Sequence, residues 1–340
     1  MSQDDVPGLD LESLRHHLDQ QRPGLVSGDL HAEVIQGGRS NLTYLVSDAR
    51  SRWVVRRPPL GHVLPTAHDM SREYRVIRAL HGDGRVPAPP PVLLCEDPEV
   101  LGAAFYVMEF VTGTPFRSAA ELEAIGPERT RRLAEGTVDA LVELHSVDPT
   151  EVGLADFGRP EGYLARQVAR WRKQLDASHS RDLPDATVLH ERLAVAVPAS
   201  PPATIVHGDF RLDNLLVDTA DRVTAVLDWE MSTLGDPLTD LALLVAYDEN
   251  ARLNPGIGTD VGLAPGYPSA DALIARYAAG SGRDVSALGW YVAFALYKLA
   301  VIVEGIHYRH IQGQTVGAGF DRFGGAVGPL LTRALDTLKD

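Results

Sequence analysis

Residues 204–240 read TIVHGDFRLDNLLVDTADRVTAVLDWEMSTLGDPLTD, and how this stretch pairs with itself decides the fold. A short β-prone run, Thr204–Val206, climbs into His207-Gly208-Asp209, and Asn214 follows five residues after that aspartate. Leu215–Val217 is a second apolar run, Asp218–Arg222 carries turn residues, and Val223–Leu227 is a third run that ends on Asp228. Two β-rich runs flanking turn chemistry predict a hairpin. Folding the hairpin brings the end of its second strand beside the start of its first, so Asp228 is expected near Asn214, with Asp209 on the loop leading in.

Three oxygen-bearing side chains at one end of a hairpin suit one chemistry. A hard cation such as Mg²⁺ prefers oxygen ligands. A separate carboxylate is needed to orient an attacking hydroxyl and accept its proton. The spacing H-x-D-x-x-x-x-N followed by a further aspartate is the arrangement of kinase catalytic loops, matched here by His207, Asp209, Asn214 and Asp228. A polar turn that merely bonds its own backbone would use the same residue types; the strands on either side and the terminal aspartate favour the site.

The segments HGDFRLDN, LDWE and GDPLTDLA resemble the aminoglycoside phosphotransferase and choline kinase branch of the kinase-like fold. They look closest to a subgroup associated with acyl-CoA dehydrogenases, and the likeness runs from about Val34 to about Arg309. The resemblance implies a bilobal α+β protein-kinase-like fold, with Asp209 as catalytic base and His207 as a structural member of its loop. Asn214 and Asp228 become metal ligands, and Asp236 and Asp240 brace the segment from the helix that follows.

Composition sets the outer limits. A chain of 340 residues can bury a sizeable core, and the expected boundary separates a β-rich N-terminal lobe, 1–112, from a mostly helical lobe, 113–340. Forty-six acidic against 32 basic residues, a net charge of −14, oppose a nucleic-acid surface, which needs clustered Lys and Arg. Cys95 is the single cysteine, so no intrachain disulfide forms and zinc-ligand spacing is absent. The start, MSQDDVPGLDLESL, is acidic and does not read as a secretory signal. Leu288–Val303 is apolar but too short for a bilayer and carries Lys298, so a buried helix and a cytoplasmic protein without membrane partners are expected.

In chain order, Asp10 is placed to cap a helix with Leu11, Leu14 and Leu18 at helical spacing. Between the runs Val34-Ile35 and Leu42–Val46 stand Gly37, Gly38, Ser40 and Asn41, which can bring backbone close to a phosphate; in the family this is the phosphate-covering loop. Trp53–Arg57 reads as the next strand and lacks the lysine usual in kinases. Arg56 is the expected substitute, because arginine can hold phosphate bidentately. Arg57 then points to the other face, so its loss is expected to cost neither nucleotide binding nor stability. Glu73 shares a helical face with Ile77 and Leu80 and is aimed inward, where Arg56 is the available cation. Val86–Pro91 reads as a loop and Leu101–Phe110 as a strand; the resemblance makes the end of that strand the hinge between lobes, where Glu109 and Val111 would carry the backbone bonds to adenine.

Helices are expected over 127–145, 163–175, 189–197, 238–247, 270–279 and 286–310. Trp171 among Arg166, Arg170, Arg172 and Lys173 could border an acidic substrate group or form a solvated helix face, and His307 with His310 could flank a substrate or be core. The reading is an ATP-dependent or GTP-dependent phosphotransferase requiring Mg²⁺. Its acceptor is a small-molecule hydroxyl, of a hydroxylated fatty acid or hydroxyacyl-CoA, with a functional link to acyl-CoA dehydrogenases. The alternatives are an aminoglycoside or choline-like acceptor, a nucleotide-binding pseudokinase, and a metal-dependent phosphohydrolase built on His207 and Asp209.

Overall fold

The computed structural model describes residues 6–35, 41–61, 68–315, 317 and 319–339. The chain divides into two compact units, Met1–Gly113 with Thr224–Ser232, and Thr114–Val223 with Thr233–Asp340. The sequence assigns everything beyond residue 112 to the second lobe; instead the segment around Asp228 packs with the first unit. There the Val226 amide donates to Pro87 O (2.8 Å), Thr224 Oγ1 to Thr112 O (3.2 Å), and Arg72 Nη2 to Ser232 O (3.1 Å).

The first unit carries helix α1 (Leu11–Gln21), strands β1 (His31–Val34), β2 (Leu42–Ser47) and β3 (Arg52–Arg57), helix α2 (Met70–Asp83), strand β4 (Pro91–Cys95), helix α3 (Pro98–Leu101) and strand β5 (Phe105–Glu109). Asp10 caps α1 by accepting from the Glu12 and Ser13 amides, both at 3.0 Å. The strands form one antiparallel sheet in the order β1-β2-β3-β5-β4. Leu14 and Leu18 of α1 pack with Tyr44, Val46, Trp53, Val55, Phe105 and Val107 in the core. Helix α2 starts at its Asp69 cap and stops where Gly84 enters the left-handed region, and it buries Glu73, Val76, Ile77 and Leu80. The strand expected from Leu101 begins only at Phe105, because Asp97 and Pro98 open the short helix α3, and the Pro-rich loop yields strand β4.

Strand β3 is the middle of five and is covered on both faces, which corrects the expectation for Arg57. It does point away from Glu73, yet it is buried, with Nη1 donating to Gly8 O and Leu101 O at 2.6 Å each and Nε to Pro58 O at 3.3 Å. Hydrogen bonds from a charged donor contribute more than neutral ones, so Arg57→Ala is expected to cost about 2–4 kcal/mol of stability. Urea unfolding of the variant measures it, and an unchanged midpoint would contradict this account of the strand.

The second unit comprises α4 (Ala119–Ile125), α5 (Pro127–Ser146), α6 (Tyr163–Ser178), α7 (Pro184–Val195), β6 (Thr204–Val206), β7 (Leu215–Val217), β8 (Val223–Val226, whose last three residues belong to the first unit), β9 (Thr233–Gly235), α8 (Leu238–Leu253), α9 (Ala270–Ser281), α10 (Leu288–Ile311) and α11 (Phe323–Thr337). Strand β6 pairs antiparallel with β9, Ile205 opposite Leu234. Between β7 and β8 the turn is closed by Asp218, whose amide donates to Arg222 O (2.9 Å) while its carboxylate accepts from the Ala220 and Arg222 amides. Helix α10, Leu288–Ile311, matches the expected 286–310 but, taken whole, is long and apolar enough to cross a bilayer, unlike the shorter apolar run within it; 72% of its most apolar window is buried inside the protein against neighbouring helices.

Candidate active site

The His207-Gly208-Asp209 loop leaves strand β6 and is fixed from beneath by one buried acid. Asp240, in the first turn of α8, accepts from the His207 amide (2.7 Å) and the Gly208 amide (2.8 Å). It also accepts from His145 Nε2 at 3.3 Å, and the Tyr277 hydroxyl lies 2.7 Å from His145 Nδ1. Burial works against the Asp240 charge, but these donors outweigh it and hold the carboxyl below its usual value. Burial likewise pushes His145 down, keeping it neutral. Gly208 sits at φ +85°, a conformation that a residue with a Cβ adopts only under strain. That turn lets its amide reach Asp240 while its carbonyl accepts from Lys298 Nζ at 3.1 Å. His207 is buried with its ring edge-on to Phe210, and its Nδ1 accepts from the Asp209 amide (3.2 Å).

Asp209 is thereby presented with its own carboxylate partly exposed. Asn214 Nδ2 donates to its carbonyl (2.9 Å) and to Oδ2 (3.2 Å), the Tyr247 hydroxyl donates to Oδ1, and Arg211 Nε lies 3.5 Å from Oδ2. Burial, reinforced by Asp209, keeps the Tyr247 phenol protonated far above its ordinary range. Sequence reasoning brought Asp209 and Asn214 together but missed Tyr247, Arg211 and Lys298. A lysine inside the apolar run of α10 was the available signal, since a buried cation needs a reason.

In the first unit Arg56 faces three acids. Its Nη2 donates to Asp228 Oδ1 at 2.5 Å and lies 3.6 Å from Glu230 Oε2, and its Nε is 3.1 Å from Glu73 Oε2, an ion pair without hydrogen-bond alignment. The nearby Tyr106, Glu73 and Asp228 keep Arg56 fully charged in spite of its burial. Glu73 also accepts from Tyr106 Oη (3.0 Å) and Asn41 Nδ2 (3.1 Å). Asn41 is itself committed inside the protein, donating as well to Glu230 Oε2 (3.2 Å) and meeting His68 Nδ1 at 2.7 Å. It therefore anchors the exit of the expected phosphate loop within the fold, and Gly37, Gly38 and Ser40 lie outside the described residues. At the end of β5 the Glu109 amide donates to Pro90 O (2.8 Å), and Val111 lies two residues beyond the strand.

Burial pushes Glu73 up to about 7 against the pull of Arg56. A group raised in the folded state stabilises below its unfolded value, here 4.5, and loses that contribution as pH rises through about 7. Melting temperature is therefore expected to fall between about pH 5 and pH 8, and Glu73→Gln to flatten this slope. An unchanged slope in the variant would remove Glu73 as the cause.

The donors present suit a hard divalent cation. In the second unit Asn214 directs its amide nitrogen to Asp209, so its Oδ1 is the atom a cation could use; in the first unit Asp228 holds Arg56 through Oδ1, which leaves Oδ2. Amide and carboxylate oxygens are magnesium ligands, and one or two of them suffice because Mg²⁺ retains water and phosphate oxygens. Among the described residues no group of three or more His, Cys, Asp or Glu is arranged to hold a metal. His307 packs against Gly324, and His310 bonds Thr315 (3.1 Å) and stacks on Phe320; both are half-buried.

Residues 12–273 match the model of the phosphotransferase enzyme family. Among curated proteins, acyl-CoA dehydrogenase family member 11 of Gallus gallus is 36% identical over 97% of this chain and 44% of its own length. The Arabidopsis thaliana protein named as a probable acyl-CoA dehydrogenase, IBR3, is 38% identical over 81% of this chain and 36% of its own. The chain thus spans less than half the length of these relatives. Among solved structures, a Ralstonia eutropha JMP134 protein provisionally assigned as an aminoglycoside phosphotransferase superposes with a TM-score of 0.83 at 32% identity, covering 97% of this chain and 98% of that one. A thermostable mutant of aminoglycoside phosphotransferase APH(4)-Ia, in complex with AMP-PNP and hygromycin B, shares the fold at 15% identity and a TM-score of 0.61, over 95% and 98% of the two chains.

Proposed function

The chain belongs to the phosphotransferase enzyme family, and on that premise we propose that it transfers the γ-phosphate of ATP, or of GTP, to the hydroxyl of a hydroxylated fatty acid or its CoA thioester. The observation that carries the reading is Asp209, a partly exposed carboxylate on a loop held rigid by Asp240, with Tyr247 and Asn214 fixing its orientation. Asp209 orients the acceptor hydroxyl and takes its proton. Arg56, steadied by Glu73, steadies the nucleotide phosphates. Asn214 and Asp228 are the residues that would hold Mg²⁺, whose charge would offset that on the phosphate. Positioning and charge neutralisation supply most of the catalysis in such reactions, so little else is required of the protein.

The acceptor class rests on the charges of the C-terminal helices. A polycationic aminoglycoside calls for unspent carboxylates. Of the three acids between Ala270 and Gly313, Glu304 is buried on Arg181 (2.9 Å) and Ser180, which leaves only the exposed Asp271 and Asp284 for amines, against Arg276, Arg283, Lys298 and Arg309. The names of the curated relatives point toward acyl chemistry. Comparing kcat/KM for hydroxy fatty acids, their CoA thioesters, kanamycin and choline tests the choice. Hydroxyacyl compounds are expected to lead, and kanamycin or choline outperforming all of them would sink it. Nucleotide binding with no turnover on any acceptor would favour the pseudokinase alternative.

A further inference from the structure

We propose that Lys298 binds a carboxylate on the acceptor, so that the second substrate of the Asp209 site is an acid and not an amine. The inference rests on the reading that Asp209 faces the acceptor. Lys298 interrupts the apolar run of α10 and is half-buried. An ammonium carries three donors. Among the described residues it makes one hydrogen bond, to the neutral Gly208 carbonyl, and no carboxylate lies within ion-pair distance. Asp209 and Asp240 are near enough to favour its charge, while burial chiefly, and Arg170, disfavour it and pull the amine below its usual range. A partly buried cation with two unused donors is costly unless something anionic completes it.

The surroundings say where that anion would sit. Gly208 is the residue before Asp209, so a group on Lys298 belongs to a molecule within reach of the base. Lys298 Nζ lies 5.6 Å from the centroid of the Trp171 ring, which covers it on one side. The adjacent Arg170 is exposed and adds positive charge. A second cation, the Arg211 guanidinium, lies 3.5 Å from Asp209 Oδ2 and 5.2 Å from the Tyr247 ring centroid, but its charge is shared with Asp213 at 3.1 Å, so Lys298 is the cation beside the base that has no carboxylate of its own among the described residues. The Trp171 face, Lys298 and the exposed Arg170 thus form one side of the base's surroundings, and that side accepts an acid with an apolar chain and repels an amine.

The test is a calorimetric titration of the protein, held with Mg²⁺ and a non-hydrolysable ATP analogue, with ω-hydroxydecanoate and with the amino alcohol of the same chain length. The hydroxy acid is expected to bind about tenfold more tightly or better, as for one charge-assisted hydrogen bond. Lys298→Met should erase the preference and Lys298→Arg should keep it. Equal or tighter binding of the amino alcohol to the unmodified protein overturns the proposal without any variant. So does undetectable binding of the acid, or unchanged acid binding in Lys298→Met. If the acid binds through Lys298 and no phosphate is transferred, the phosphotransfer reading fails and this one stands. Efficient phosphorylation of amino alcohols alone does the reverse: phosphotransfer stands and the carboxylate site fails.

Discussion

Asp209→Asn is expected to lower kcat by about a thousandfold while nucleotide affinity stays within roughly twofold of the unsubstituted protein, the loss that removal of a general base produces. The substitution is nearly isosteric. An asparagine oxygen can still accept from Tyr247 or Asn214, and the main-chain bonds of the loop to Asp240 do not involve the side chain at 209. Stability should therefore change little, which separates lost chemistry from lost structure. ATP titration and melting run beside the kinetics make the distinction. Near-normal turnover on a verified acceptor would remove Asp209 from the role of base.

The largest structural effect is expected at Asp240. Asp240→Ala leaves the His207 and Gly208 amides and His145 without their shared acceptor inside the protein, at a cost of about 3–5 kcal/mol. Asp240→Asn is instructive as well, because both carboxylate oxygens accept from backbone amides and an NH₂ in place of either sets donor against donor. The pH dependence has the opposite sign to that of Glu73. A carboxyl depressed in the folded state contributes stability above its unfolded value, 3.8, and loses it as pH falls through the lower folded value. Acid unfolding of the unsubstituted protein is thus expected to steepen below about pH 4, and a variant at 240 to lose that part of the curve. Urea midpoints unchanged by Asp240→Ala would mean that the loop does not depend on this brace.

Much of the catalytic loop was legible because its chemistry depends on spacing along the chain. Asp209 and Asn214 are brought together by a single 3-10 turn, Leu212–Asn214, and Asp240 at the start of the next helix braces their loop as expected, whereas Asp236 accepts from the Leu238 amide and the Tyr291 hydroxyl instead. The pairing of Arg56 with Glu73 was also within reach, since an acid on the buried face of an amphipathic helix demands a cation. What escaped depended on long-range packing. Alternation told which way Arg57 points but not that α1 and α3 cover that face too, because a strand buried on both sides loses its period-two signal. Helix α11 gave no signal through Pro329, a residue ordinarily unfavourable inside a helix. The segment around Asp228 returns to the first unit through bonds to Pro87, Thr112 and Arg72, residues more than a hundred positions away, which no local pattern encodes. Lys298 and Tyr247 reach Asp209 and its neighbour from helices that the sequence reads only as apolar.

The most direct test of phosphotransfer follows the label from γ-³²P-ATP after incubation with Mg²⁺ and hydroxy fatty acids or their CoA thioesters. The account predicts label in an acid-stable phosphate ester of the acceptor hydroxyl, formed only with Mg²⁺ and absent with Asp209→Asn. Label recovered solely as inorganic phosphate, or ester formed equally well by Asp209→Asn, would contradict it.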